Sequence, residues 1–130
     1  MSRREFLDAK ILAVKILDKE YITKLFRRKL CRKGVDPETV FFDYADACKR
    51  IMNATFLSRR ESQERCFEIC GETWNGDIWI VRGLDFETQV ETLLHEALHD
   101  SVFIYRSTRS GNKKGLSESM EHDIMYRFLE

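Results

Sequence analysis

Apolar residues recur at helical spacing through the first part of the chain, at Phe6, Leu7, Ile11, Val14 and Leu17 and again at Tyr21, Ile22, Leu25, Phe26 and Leu30, up to Gly34. Asp18 stands where it could cap a second helix, so the pattern predicts two helices, with a strand over 11–17 as the competing expectation. Asp36-Pro37-Glu38 reads as a helix start, an aspartate cap followed by proline at the first helical position, and the helix is expected to run to about Asn53. Residues 58–64 are charged and predict a loop or a helix end. Two β-rich stretches, 66–73 and 77–81, flank Trp74-Asn75-Gly76, and Asn-Gly is a strong hairpin signal. Ile78 and Ile80 alternate with Trp79 and Val81, so the second strand is apolar on both faces and should be interior. After Gly83, Asp85 is placed to cap an amphipathic helix through 89–104. A polar loop over 106–115 and a final helix over about 117–129 complete the order. The fold class expected is α+β: one small domain, 1–130, with N-terminal helices, a short antiparallel hairpin and two further helices.

Composition narrows this picture. The chain has 130 residues, 43% hydrophobic and 34% charged with one proline, enough for one modest core. The apolar run 11–17 is interrupted by Lys15 and falls far short of the roughly 20 residues of a membrane span. The basic start shows no cleavage-site pattern, so an intracellular protein, cytoplasmic or nuclear, is expected. Cys31, Cys48, Cys66 and Cys70 form no C-x-x-C pair, which suits a reducing compartment, and they are expected to be buried, unreactive thiols. Charge is unevenly spread: residues 1–34 hold 11 Lys/Arg against 4 Asp/Glu, leaving 11 against 18 in the rest. The basic stretch 24–33 could dock on nucleic acid, or it could be the solvated face of a helix that pairs with the acidic remainder.

The chemistry lies in His95-Glu96-Ala97-Leu98-His99, which reads H-E-x-x-H. Residues four apart on a helix share a face, so two imidazoles can grip one metal ion while Glu96 reaches the ion's water; zinc-dependent peptidases use this spacing. Leu93, Leu94, Ala97, Leu98 and Val102 surround the motif and predict a largely buried helix. A catalytic zinc takes three protein ligands, so a third must come from elsewhere in the chain. At about 100° per residue, Glu121 falls in the middle of the apolar face that Ile124, Met125 and Phe128 form on the last helix. A carboxylate there is costly unless paired or bound to a metal. Glu121 is therefore the expected third ligand and Glu118, at the edge of that face, the alternative. His122 ranks third, and is expected to support the ligands or to donate a hydrogen bond in the transition state.

The stretch Thr92-Leu93-Leu94-His95-Glu96-Ala97-Leu98-His99, after the Asp77-Ile78-Trp79-Ile80 strand and before a glutamate-bearing helix, resembles the gluzincin metallopeptidases. It is most similar to their minimal forms, including small phage- and virus-encoded peptidases, and the resemblance covers about 67–129. It implies Zn2+ as cofactor, His95 and His99 as ligands with Glu121 or Glu118, and Glu96 as the general base of peptide hydrolysis. It also implies a peptide or protein substrate held in extended form by an edge strand from within 66–81, with His122, Tyr105 or Tyr126 at the oxyanion. One departure stands out. The family carries aspartate or asparagine four residues after its third ligand, where this chain has Met125 after Glu121 and His122 after Glu118. A different class of function remains open: a nucleic-acid-associated protein that binds through 24–33, with a structural or degenerate metal site. So does a latent peptidase that needs a partner or an activating cleavage.

Overall fold

The computed structural model describes residues 3–65, 70–105 and 113–128. Asp18 separates the first two helices, α1 (Arg3–Ile16) and α2 (Lys19–Cys31), and its side chain accepts a hydrogen bond from the Tyr21 amide. The competing strand over 11–17 is absent because the helical pattern wins: Phe6, Ala9 and Ala13 form one buried stripe on α1. The two alanines let α1 lie closely against its neighbours, the helices Tyr44–Met52 and Phe86–Leu98. Helix α2 buries Ile22, Leu25, Phe26 and Leu30 and turns its basic side chains outward.

The single helix expected over 36–53 is two shorter elements with a strand between them. Asp36 caps only a 3-10 turn, Pro37–Thr39, after which Val40–Phe42 form β1. This β-branched and aromatic triplet is drawn into a sheet, and Asp43 caps a fresh helix, α3 (Tyr44–Met52). Strand β2 (Thr55–Phe56) follows. The charged segment after it is a helix, α4 (Arg59–Arg65), whose first turn is closed by the Glu61 amide donating to Ser58 Oγ. The hairpin is present as β3 (Gly71–Trp74) and β4 (Asp77–Ile80). Asn75 and Gly76 occupy the turn with φ of 51° and 81°, the pair of left-handed residues that a two-residue turn demands. The part of the first expected strand over 66–69 lies outside the described residues.

Helix α5 (Phe86–Leu98) begins at Asp85, whose side chain accepts from the Thr88 amide. It ends about six residues before its expected end, because Val102–Tyr105 form strand β5. Strand β6 (Lys113–Gly115) lies in what was expected to be loop, and α6 (Glu118–Phe128) closes the chain. The described strands form two sheets. One is antiparallel in the order β1-β5-β6, pairing Val40 with Ile104 and Phe103 with Gly115. The other has the order β2-β4-β3, with β2 parallel and β3 antiparallel to β4.

These elements make a small single-domain α+β fold around one core. Leu93, Leu94, Ala97 and Leu98 of α5 meet Ile78 and Ile80 of β4, Ile51 of α3 and Ala9 and Ala13 of α1 in one buried cluster. Helix α5 is thus covered by α1 and α3 and by the β3–β4 hairpin. Cys31 and Cys70 are exposed and Cys48 only partly covered, which corrects the expectation of buried thiols; Cys66 lies outside the described residues. Among the described residues no helix is long and apolar enough to cross a membrane.

Candidate metal centre

The H-E-x-x-H segment straddles the end of α5. His95 and Glu96 stand in its last turn, while His99 is the residue after it, with φ −62° and ψ 133°, and Asp100 takes a left-handed φ of 61°. The chain therefore turns sharply off the helix at the second histidine. His99 Nε2 lies 3.3 Å from His95 Nε2 and 3.1 Å from Nε2 of His122, which comes from α6. The His99 ring stands nearly perpendicular to both others, at 79° to His95 and 74° to His122. His95, His99 and His122 lie close enough to bind one metal ion.

Glu121, the expected third ligand, stands elsewhere. Its Oε1 is 3.0 Å from His99 Nδ1, and its Oε2 accepts from the Asp100 amide at 2.9 Å. Both carboxylate oxygens are engaged behind His99, on the far side of the ring from the cluster. The placement on the apolar face was sound, since Glu121 is only 2% exposed. Glu121, however, is turned to residues 99–100, and the next residue round the helix, His122, is the one that lies beside His95 and His99. His122, ranked behind both glutamates, is thereby the residue of α6 that joins the imidazole cluster. The side chains of Glu118 and Tyr126 lie outside the described residues, and Tyr105 sits in β5, 6.0 Å from Phe41 ring to ring.

The donor set passes a chemical test for a metal site. An ionised carboxylate can only accept, so Glu121 holds the His99 proton on Nδ1 and leaves the Nε2 lone pair directed at the cluster. Three nitrogens each bound at the 2.0–2.1 Å of a zinc–imidazole bond in a tetrahedral site would stand about 3.3 Å apart. The two separations from His99 are close to that edge, and all three donor atoms lie within 4.8 Å of one another. His95 is kept neutral, as a ligand must be: burial first, then the neighbouring His99 and His122, push its pKa down to about 4.

Glu96 is 7% exposed, and Thr73 of β3 donates its hydroxyl to Glu96 Oε2 at 2.7 Å. Burial raises the Glu96 carboxyl above its ordinary value, against the opposing pull of the Thr73 hydrogen bond and of His99 and His122. Gly71 permits the close approach of β3 to α5 that this bond requires. A Cβ at Gly71 would lie 2.7 Å from Thr92 Cγ2, 2.9 Å from the Trp79 carbonyl oxygen and 3.5 Å from Glu96 Cγ.

Three contributors had no signal that pattern reading could use. Thr73 and Gly71 act across the hairpin, and Arg50 reaches the end of α5 from α3, where its guanidinium bonds the Ala97 and His99 carbonyls. His122 did have one: it is the third of only three histidines in the chain, the other two being the motif pair. No family model matches the chain, and neither a curated protein nor a solved structure matches it significantly.

Proposed function

We propose that the protein is a small zinc-dependent peptidase of the H-E-x-x-H type, with His95, His99 and His122 as zinc ligands and Glu96 as general base. One observation carries the reading: three imidazole nitrogens converge beside a buried glutamate that coordination does not need. When bound, zinc supplies Lewis acidity, polarising a carbonyl and bringing the pKa of a coordinated water toward about 7. A raised carboxyl at Glu96 suits a group that must take a proton from the attacking water and hand it to the leaving amine near neutral pH. Thr73 holds that carboxylate in one orientation, and Glu121 fixes the His99 ring.

Zinc is favoured over other metals because three converging imidazoles, with a carboxylate behind one of them, resemble catalytic zinc sites. Relative to the gluzincin pattern, the reading keeps the motif chemistry and exchanges the glutamate ligand for His122. Strand β3 is the edge of its sheet among the described strands, so an extended substrate could add to it beside Thr73 and the glutamate it holds. Free thiols at Cys31, Cys48 and Cys70 fit a reducing, intracellular setting for this activity.

The test compares zinc content and peptide cleavage across four proteins. Wild type should hold one zinc and cleave an unstructured protein substrate. Glu96→Gln should keep the zinc and lose cleavage. His122→Ala should lose zinc, whereas Glu121→Gln should weaken binding by about 10- to 100-fold, the usual cost of losing a partner behind a ligand. Cleavage that survives Glu96→Gln, or zinc that is indifferent to His122→Ala, would overturn the proposal.

A further inference from the structure

We infer that Arg50, which belongs to neither the motif nor the histidine cluster, is a positioning residue that sets the metal ligand His99. The inference rests on the reading of His95, His99 and His122 as a metal site. Arg50 is a cation only 6% exposed, and a charge so placed must be well partnered. Asp46 stands at ion-pair distance, its Oδ2 3.0 Å from Nε but out of line for a hydrogen bond, and the hydrogen-bond partners of the guanidinium all belong to one turn. Nη1 donates to the His99 carbonyl at 2.8 Å, and Nη2 donates to the Ala97 carbonyl at 2.7 Å and to Ser101 Oγ.

That turn is where the site is vulnerable. Helix α5 ends at Leu98, its last carbonyls have no partners within the helix, and a cation is favoured there. His99 has already left the helix, so intrahelical hydrogen bonds cannot fix its ψ of 133°. Its carbonyl is pinned by Arg50 from α3; its ring and the next amide are pinned by Glu121 from α6. Two opposite charges from two helices therefore grip the two sides of a single ligand residue. A generic helix cap needs only a positive charge. Spanning Ala97 and His99 together needs the planar fork of a guanidinium, which an ammonium cannot imitate.

Arg50→Lys and Arg50→Ala separate these roles in the full chain. Zinc affinity is read by chelator competition, ligand geometry by the visible absorption of the cobalt(II)-loaded protein, and folding by circular dichroism. Arg50→Lys should fold, bind zinc about 10- to 100-fold more weakly and show an altered cobalt spectrum. Arg50→Ala should lose more. Added guanidinium, at concentrations that do not denature, should restore part of that loss, since Arg50 lines a polar cavity of about 350 Å³ shared with Asp46, Asp77 and Asp100.

Wild-type zinc affinity and cobalt spectrum in Arg50→Lys would overturn the inference, whether or not Arg50→Ala folds. If Arg50→Ala does not fold, Arg50→Lys alone decides. A wild type that binds no zinc overturns the metal reading and this inference together, and that arm distinguishes the two failures.

Discussion

His95 and Glu96 are neighbours whose neutral forms are both favoured by the same burial, with opposite consequences for pH. The His95 pKa is held at about 4 against an ordinary 6.5, so below pH 6.5 the unfolded chain takes a proton that the folded chain refuses. Its contribution to stability is complete above 6.5 and is lost as the pH falls toward 4. Glu96 runs the other way. Its folded carboxyl lies above the ordinary 4.5, so stability is lost as the pH rises from 4.5 through the raised value. The two windows overlap and partly cancel. Glu96→Gln removes the second, so the metal-free Glu96→Gln protein should lose thermal stability steadily between pH 6.5 and 4. In NMR titration of that protein the His95 ring should change near pH 4. A His95 ring that titrates at 6.5 would show that the histidine cluster is open to water.

At the scale of elements, the site depends on how closely β3 approaches α5, and Gly71 sets that distance. A Cβ there would meet the Trp79 backbone at 2.9 Å, and a backbone oxygen cannot step aside as a side chain can. Gly71→Ala should therefore cost about 1–3 kcal/mol, as overpacking does, measurable by urea denaturation. It should also lower peptidase activity more than zinc affinity, because the strand it displaces holds Glu96 and no ligand. An unchanged stability would mean that β3 moves freely. Gly71 also shows what pattern reading could and could not see. Asp18, Asp85 and Asn75-Gly76 were legible because a cap or a tight turn is decided within four residues. The break of the 36–53 helix at Val40–Phe42 and the early end of α5 were not. Each is caused by the other: Val40 pairs with Ile104 and Phe42 with Val102 across some sixty residues of chain. The same division holds in the site. His95, Glu96 and His99 followed from spacing on one segment, whereas seeing that His122 and not Glu121 lies beside the Nε2 atoms of the two histidines required knowing how α6 packs on the turn after α5.

For the molecule as a whole, the histidine cluster is one of the places where its last helix meets the rest, beside the core contact of Ile124. Helix α6 buries Ile124 and Glu121, and among the described residues it touches α2 and α5. At the surface Lys33 pairs with Asp123 at 3.2 Å, linking the turn after α2 to α6 through half-exposed side chains. Such a pair is worth about 0–1 kcal/mol and is screened by salt. It cannot hold a helix in place by itself, and the uneven charge of the chain is accordingly a weak source of cohesion. A zinc held by two residues of the α5 end and one of α6 would be the strongest tie between them. Binding to the folded state alone stabilises by about 2.7 kcal/mol when free zinc is a hundredfold above its Kd. At this chain length that corresponds to a rise in Tm of very roughly 5–20 °C. Stripping the metal with a chelator should lower Tm by that order. Amide hydrogen exchange should accelerate in α6 and at residues 99–101 well before it does in α1 or the core of α5. Helix α1 buries its own stripe against α5 without any ligand, so its protection should hold. Exchange that accelerates uniformly over the whole chain would mean that the metal supports the core itself, and a Tm indifferent to the chelator would mean that α6 is held by its apolar contacts alone.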